Sequence, residues 1–220
     1  MTNRERLIGA LHGKTVDRIP WSLCMDAFFT DSLPEQGMHM DLLETLRYLH
    51  NDIMITHVPT YRTVYNNLTF SKTTDQKGTT YFYHTPVGDL YEIIKFTGNT
   101  NFRSKYLLNS VGDLRIFRYI LKNTEYVPDF DYFICQDEII GDSGLATTTA
   151  PYTPIQALLQ HYLGIEKTVY FLSDYPGEME EIILLLHELN KKVYRIIAEC
   201  PTPVVFAYED TSTTVMSRTM

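Results

Sequence analysis

The chain has a single tryptophan, three cysteines and no long apolar run in 220 residues. Cys24, Cys135 and Cys200 are too few and too far apart for a disulfide framework or a CxxC zinc knuckle. An odd number suits a reducing compartment, and all three are expected to be buried thiols rather than ligands. No uncharged stretch approaches the ~18 residues of a membrane helix, which excludes a membrane as partner. Basic charge is also scarce, with 19 Lys and Arg against 27 Asp and Glu for a net charge of -8. Phosphate backbones are held by Lys and Arg, so nucleic acid is excluded and a small molecule or a protein is the expected partner. The opening Met1-Thr2-Asn3-Arg4-Glu5-Arg6 leads into no apolar signal segment, and the expected location is the cytoplasm.

What is present suffices for a core. A chain of this length that is 44% hydrophobic and 21% charged folds without a staple, and one domain over residues 1–220 is the expectation. Sixteen tyrosines either line a pocket or stack in the core.

Apolar spacing then orders the elements. Thr2 caps a helix carrying Leu7, Ile8 and Leu11, and Gly13 stops it. Trp21-Ser22-Leu23-Cys24-Met25 reads as a first strand buried on both faces and ending at Asp26. Asp41 caps a helix with Leu42, Leu43, Leu46 and Leu49, and Ile53-Met54-Ile55 is a second strand ending near His57. Between residues 69 and 96 the pattern alternates, which predicts an inserted antiparallel hairpin turning at Thr85-Pro86-Val87-Gly88. Ser110 with Asp113 opens a helix, and Ile139-Ile140-Gly141-Asp142 reads as a third strand. Helices follow at Pro154 to Tyr162, Glu166 to Leu172 and from Pro176, where Ile182, Leu186, Leu189, Val193 and Ile196 recur at helical spacing. Pro203-Val204-Val205-Phe206-Ala207 is a fourth strand, ending at Tyr208-Glu209-Asp210.

Alternating β and α segments predict a parallel sheet with right-handed crossovers. About four barrel strands are readable where a closed (β/α)8 barrel takes ~250 residues. The expectation is the N-terminal part of a TIM-type barrel, with the natural chain continuing past Met220 or the remaining wall coming from elsewhere; an open doubly wound sheet is the alternative.

Several segments resemble the uroporphyrinogen decarboxylase and corrinoid-dependent methyltransferase superfamily. Thr2 to Lys14 with Asp17-Arg18-Ile19-Pro20 is similar to its opening helix and D-R-I-P link. Thr85-Pro86-Val87-Gly88-Asp89-Leu90 looks like the T-P-x-G-x-L hairpin of its methyltransferase-like branch, and Ala150-Pro151-Tyr152-Thr153 and Glu209-Asp210-Thr211-Ser212 are further matches in order. The resemblance implies a barrel with its active site at the carboxyl ends of the strands, where the sequence puts Asp26, His57, Asp142, Glu209 and Asp210.

Within that superfamily the decarboxylase branch is disfavoured. Its arginines after the first strand are missing from Ser22 to Phe29, and its aspartate after the second is missing from Thr56 to Tyr61. Its tyrosine falls near Ala157 and its serine near Thr211, and an octa-anionic substrate meets an acidic site without guanidinium clamps. The sibling branch moves methyl groups to or from a protein-bound corrinoid or a thiol with zinc assistance. That resemblance implies Asp26, His57 and Asp210 as catalytic candidates, and Phe28, Tyr61, Asp142, Tyr152 and Thr211 around a small-molecule substrate. Glu209 and Asp210 are the candidate zinc ligands here, with the His-x-Cys and later Cys ligands expected beyond Met220. Each has a structural counterpart: Glu209, Asp210 and Asp26 as caps or ion-pair partners, His57 as a hydrogen-bonded structural residue, the tyrosines as packing. A divergent decarboxylase and a non-catalytic or truncated relative are the other readings.

Overall fold

The computed structural model describes residues 1–25, 40–97 and 100–212. In chain order come α1 (Asn3–Leu11), α2 (Leu42–Tyr48), β1 (Ile53–Ile55), β2 (Tyr61–Tyr65), β3 (Thr69–Asp75), β4 (Gly78–Thr85), β5 (Gly88–Phe96) and β6 (Asn101–Lys105). Next are α3 (Val111–Lys122), β7 (Thr124–Pro128), α4 (Asp131–Ile140), a 3-10 turn (Gly141–Ser143), β8 (Gly144–Ala146) and β9 (Thr148–Thr149). The chain continues through α5 (Pro154–Ala157), a π turn (Leu158–Tyr162), α6 (Ile165–Asp174), α7 (Pro176–Glu199) and β10 (Val205–Phe206). The architecture is mixed α/β, and among the described residues no sheet closes into a barrel. No described helix is long and apolar enough to cross a membrane.

The chain divides into two compact units: residues 1–61, 128–149 and 197–206 form the first, and residues 62–127, 150–196 and those from Ala207 onward the second.

In the first unit β1 runs parallel to β8, with Ile53 opposite Gly144 and Ile55 opposite Ala146. β10 runs parallel to β9, with Val205 opposite Thr148 and Phe206 opposite Thr149. Only Thr147 separates β8 from β9, so three segments lie side by side in chain order. β1 and β8 approach closely because Gly144 has no side chain; a Cβ there would sit 1.9 Å from the Ile53 carbonyl oxygen. Thr2 and Glu5 form a capping box on α1, as do Asp41 and Glu44 on α2, satisfying the backbone N–H groups that each helix start leaves open. The core gathers Leu46, Ile53, Val58, Phe133, Ile140, Ala146 and Cys200.

Paired ions fasten the amino ends of these strands. Asp52, fully buried just before β1, accepts from Arg6 at 2.6 Å, from Arg18 at 2.6 and 2.9 Å, and from the Trp21 N–H at 2.7 Å. Arg6 also makes a two-pronged contact with Asp17 at 2.6 and 2.8 Å. Burial pushes the Asp52 carboxyl up, but the Trp21 N–H and the two guanidinium groups outweigh it and hold it below the usual range. The Arg6 contact holds Asp17 below that range too. On the edge of β8 away from β1, Arg4 donates to the Gly144 carbonyl and pairs with Asp137, which accepts the Ala146 N–H at 3.0 Å. These side chains close backbone groups that an open sheet edge would leave bare.

The second unit is an antiparallel sheet in the order β3-β4-β5-β6 with helices packed on it. Pairing Tyr83 with Leu90 aims both at α3, and the core joins Leu90, Phe117, Leu158, Met179, Ile182 and Leu186. The turn at Thr85 to Gly88 connects β4 to β5 as expected, but the insertion is a four-stranded sheet reaching Lys105 rather than a hairpin ending at 96.

The structure corrects four further expectations. Residues 21–25 form no strand; Leu23 and Met25 pack against the core while the Trp21 N–H serves Asp52 instead of a ladder. Residues 139–142 form no strand either. Phe133 and Ile140, seven residues apart, share the buried face of α4, and the strand begins at Gly144. The fourth strand is confined to Val205–Phe206. Cys200 is buried as expected, whereas Cys24 and Cys135 are exposed.

Candidate functional site

The carboxyl ends of the parallel strands carry the most chemistry. Beyond Ile55 the ladder slips: the Thr147 N–H donates to the Ile55 carbonyl at 2.9 Å, and the Thr147 carbonyl next accepts from Val58 at 3.1 Å. Thr56 and His57 are therefore left out of the pairing as a bulge, and His57 takes a φ of 63°, a left-handed conformation that a side chain makes costly. The bulge turns His57 to the exposed end of the sheet, where its Nδ1 lies 2.9 Å from the Thr149 hydroxyl at the end of β9. Behind this pair, the buried Thr60 and Thr148 hydroxyls meet at 3.4 Å.

The same exit segment runs on through Pro59 and Tyr61. With Asp129 and Tyr132 they line a cavity of about 290 Å³, and the Asp129 N–H donates to the Thr60 carbonyl at 3.0 Å. Burial pushes the Tyr61 phenol up, keeping it protonated in neutral solution. A neutral phenol and an imidazole on one strand exit supply a hydrogen-bond donor and a ring whose nitrogens can donate or accept one.

No family model, curated protein or solved structure matches the chain.

The remaining predicted residues have their own places. Glu209 accepts from the Thr153 N–H at 2.7 Å and from the Thr153 hydroxyl at 3.0 Å, holding the start of α5. Asp210 accepts from the Ser212 N–H at 3.0 Å; the Ser212 hydroxyl and N–H hold its carboxyl below the usual range, while its carbonyl takes the Gln156 amide. Both carboxylates are thus engaged by neutral donors. Among the described residues no three His, Cys, Asp or Glu side chains converge on one point. Glu209 and Asp210 alone do not make up the four-ligand set of a zinc site among the described residues.

Tyr152 lies in the second unit with its carbonyl accepting from Asn190 and its ring edge-on to His161 at 5.0 Å. Thr211 is exposed. Asp142, expected after a strand, stands in the 3-10 turn before β8 and so belongs to the amino end of the sheet, opposite His57. Asp26 and Phe28 lie outside the described residues. Thr149, Asp129 and Tyr132 are site residues that the sequence reading did not single out. The Thr147-Thr148-Thr149 run on the loop side of Gly144 is a signal for the first; nothing local marks the other two.

Proposed function

We propose that the chain is a uroporphyrinogen decarboxylase-like enzyme of the methyltransferase branch, its first unit contributing neighbouring strands of a (β/α) barrel whose small-molecule site lies at their carboxyl ends. The supporting observation is one arrangement: β1, the β8–β9 segment and β10 side by side in chain order, with His57 and Thr149 joined across adjacent strand exits. Catalytic groups of parallel α/β folds collect at that end because the loops there are free to vary.

In this reading Tyr61 hydrogen-bonds a small methylated substrate. His57, oriented by the Thr149 hydroxyl, gives a proton to the oxygen or sulfur that loses its methyl group, so the leaving group departs neutral. A corrinoid on a partner protein, or a thiol, would supply the methyl acceptor.

The full chain is assayed with small methyl ethers, thioethers and methylamines in the presence of cob(I)alamin, following methylcobalamin by its absorbance. Turnover that falls about 100-fold or more in His57→Gln supports the proposal. Carbon dioxide release without corrinoid would assign a decarboxylase instead, and no product from any of these substrates would remove the methyl-transfer reading.

A further inference from the structure

A second site lies at the other end of the same strands. Asn3, Arg18, Arg47, His50, Asn51, Ile53 and Ser143 line a cavity of about 320 Å³ in the first unit. Among its lining residues is Asn51, 1% exposed, whose amide nitrogen and oxygen both lack a hydrogen-bond partner among the described residues. A buried amide left without partners is costly, and where one is kept it signals a group that completes it.

The chain builds this corner deliberately. α2 ends with the His50 N–H donating to the Arg47 carbonyl and the Asn51 N–H to the Leu46 carbonyl, each at 3.0 Å, the Schellman arrangement. His50 occupies the left-handed position at φ 52°, where glycine is usual, and so presents an imidazole at the cavity rim. The Asn51 carbonyl accepts from the Asn3 amide at 3.1 Å, which joins two of the lining residues. Charge at the rim is positive. Asp52 and Asp17 are matched by Arg18 and Arg6, whereas Arg47 donates to the Ile139 carbonyl and has no carboxylate partner among the described residues. Of the acidic groups adjoining the lining in sequence, Asp17 and Asp52 are bound by Arg6 and Arg18, and Asp142, next to Ser143, is exposed and off the lining.

We propose that this cavity binds a phosphoryl group, either free phosphate or the phosphate of a small phosphorylated molecule. Arg47, His50 and the Ser143 hydroxyl supply donors and charge to its oxygens. The Asn51 amide nitrogen donates to a further oxygen. The amide oxygen needs a donor, which a monoprotonated phosphate carries and a carboxylate does not. The site is separate from the strand ends that carry His57 and does not depend on the proposed reaction.

Calorimetric titration of the full chain in phosphate-free buffer tests it, with inorganic phosphate, glycerol phosphate and acetate as probes. Arg47→Ala and His50→Gly alter exposed positions, and glycine suits the His50 backbone, so both variants keep the fold by circular dichroism. The expected result is one saturable site for a phosphate compound, at least tenfold weaker in each variant, with acetate not binding. Tighter binding of glycerol phosphate assigns a phosphorylated molecule, and tighter binding of inorganic phosphate assigns the free ion. No saturable site for either, equal affinity in Arg47→Ala, or acetate binding as well as phosphate would overturn the proposal.

Discussion

At the amino ends of β1 and β8, Asp17, Asp52 and Asp137 are each tied to a guanidinium, with distances of 2.6 to 2.9 Å. At the carboxyl ends of the same strands stand hydroxyls, an imidazole and a phenol, and the exposed His57 is held in a left-handed conformation. The three aspartates at the amino end spend their charge on guanidinium partners, leaving Arg47 beside them without a carboxylate among the described residues; the carboxyl end keeps neutral groups that serve a ligand, with His57 held in a strained backbone. The contrast teaches that one short sheet can carry paired charge at one end and neutral hydrogen-bonding groups at the other. Substitutions of the paired aspartates at the amino end should therefore move stability, and those of His57 at the carboxyl end should move activity.

The largest effect is expected from Asp52→Ala, which leaves the buried Arg6 without its inner partner and removes the acceptor for Arg18 and the Trp21 N–H. A loss of about 3–5 kcal/mol is expected in urea unfolding, a large share of an ordinary domain's stability. Gly144→Ala comes next. Its new methyl meets the Ile53 carbonyl, β1 and β8 must separate, and about 1–3 kcal/mol is lost; an unchanged midpoint would show that the close pairing is not needed.

The amino end also fixes the pH response. Asp17, Asp52 and Asp137 have folded-state values below their unfolded ones, so their contribution is fully present above the ordinary carboxylate range near ~4 and is lost as pH falls through the depressed values. Circular dichroism against pH should show acid unfolding below about pH 4. Asp137→Asn should flatten that transition, while His57→Gln leaves it in place.

Much of this was readable in the residues. The caps Thr2 and Asp41 and the pair Ser110 with Asp113 mark real helix starts, because capping is local chemistry. The strand at Ile53 to Ile55 and the Thr85 to Gly88 turn were equally legible. Residues 21–25 and 139–142 misled because a short apolar run does not say whether a ladder partner or a helix face awaits it. Glu209 read as either a ligand or a cap, and the Thr153 that it holds is 56 residues away, a contact that no spacing reveals. His57 was legible as a strand-exit residue, but the Thr149 hydroxyl that orients it comes from 92 residues further along. The paired aspartates were invisible for the same reason.

The smallest stability change is expected at the site itself, and it carries the sharpest test. Glycine relieves the left-handed backbone at His57, so His57→Gly should raise stability by about 0.5–1 kcal/mol. The central claim is that this end of the sheet trades stability for chemistry. Urea unfolding and methyl transfer to cob(I)alamin, measured side by side on wild-type chain and His57→Gly, test it directly. The account predicts a variant at least as stable as wild type with turnover reduced about 100-fold or more; wild-type turnover in the variant, or a loss of stability along with activity, would contradict it.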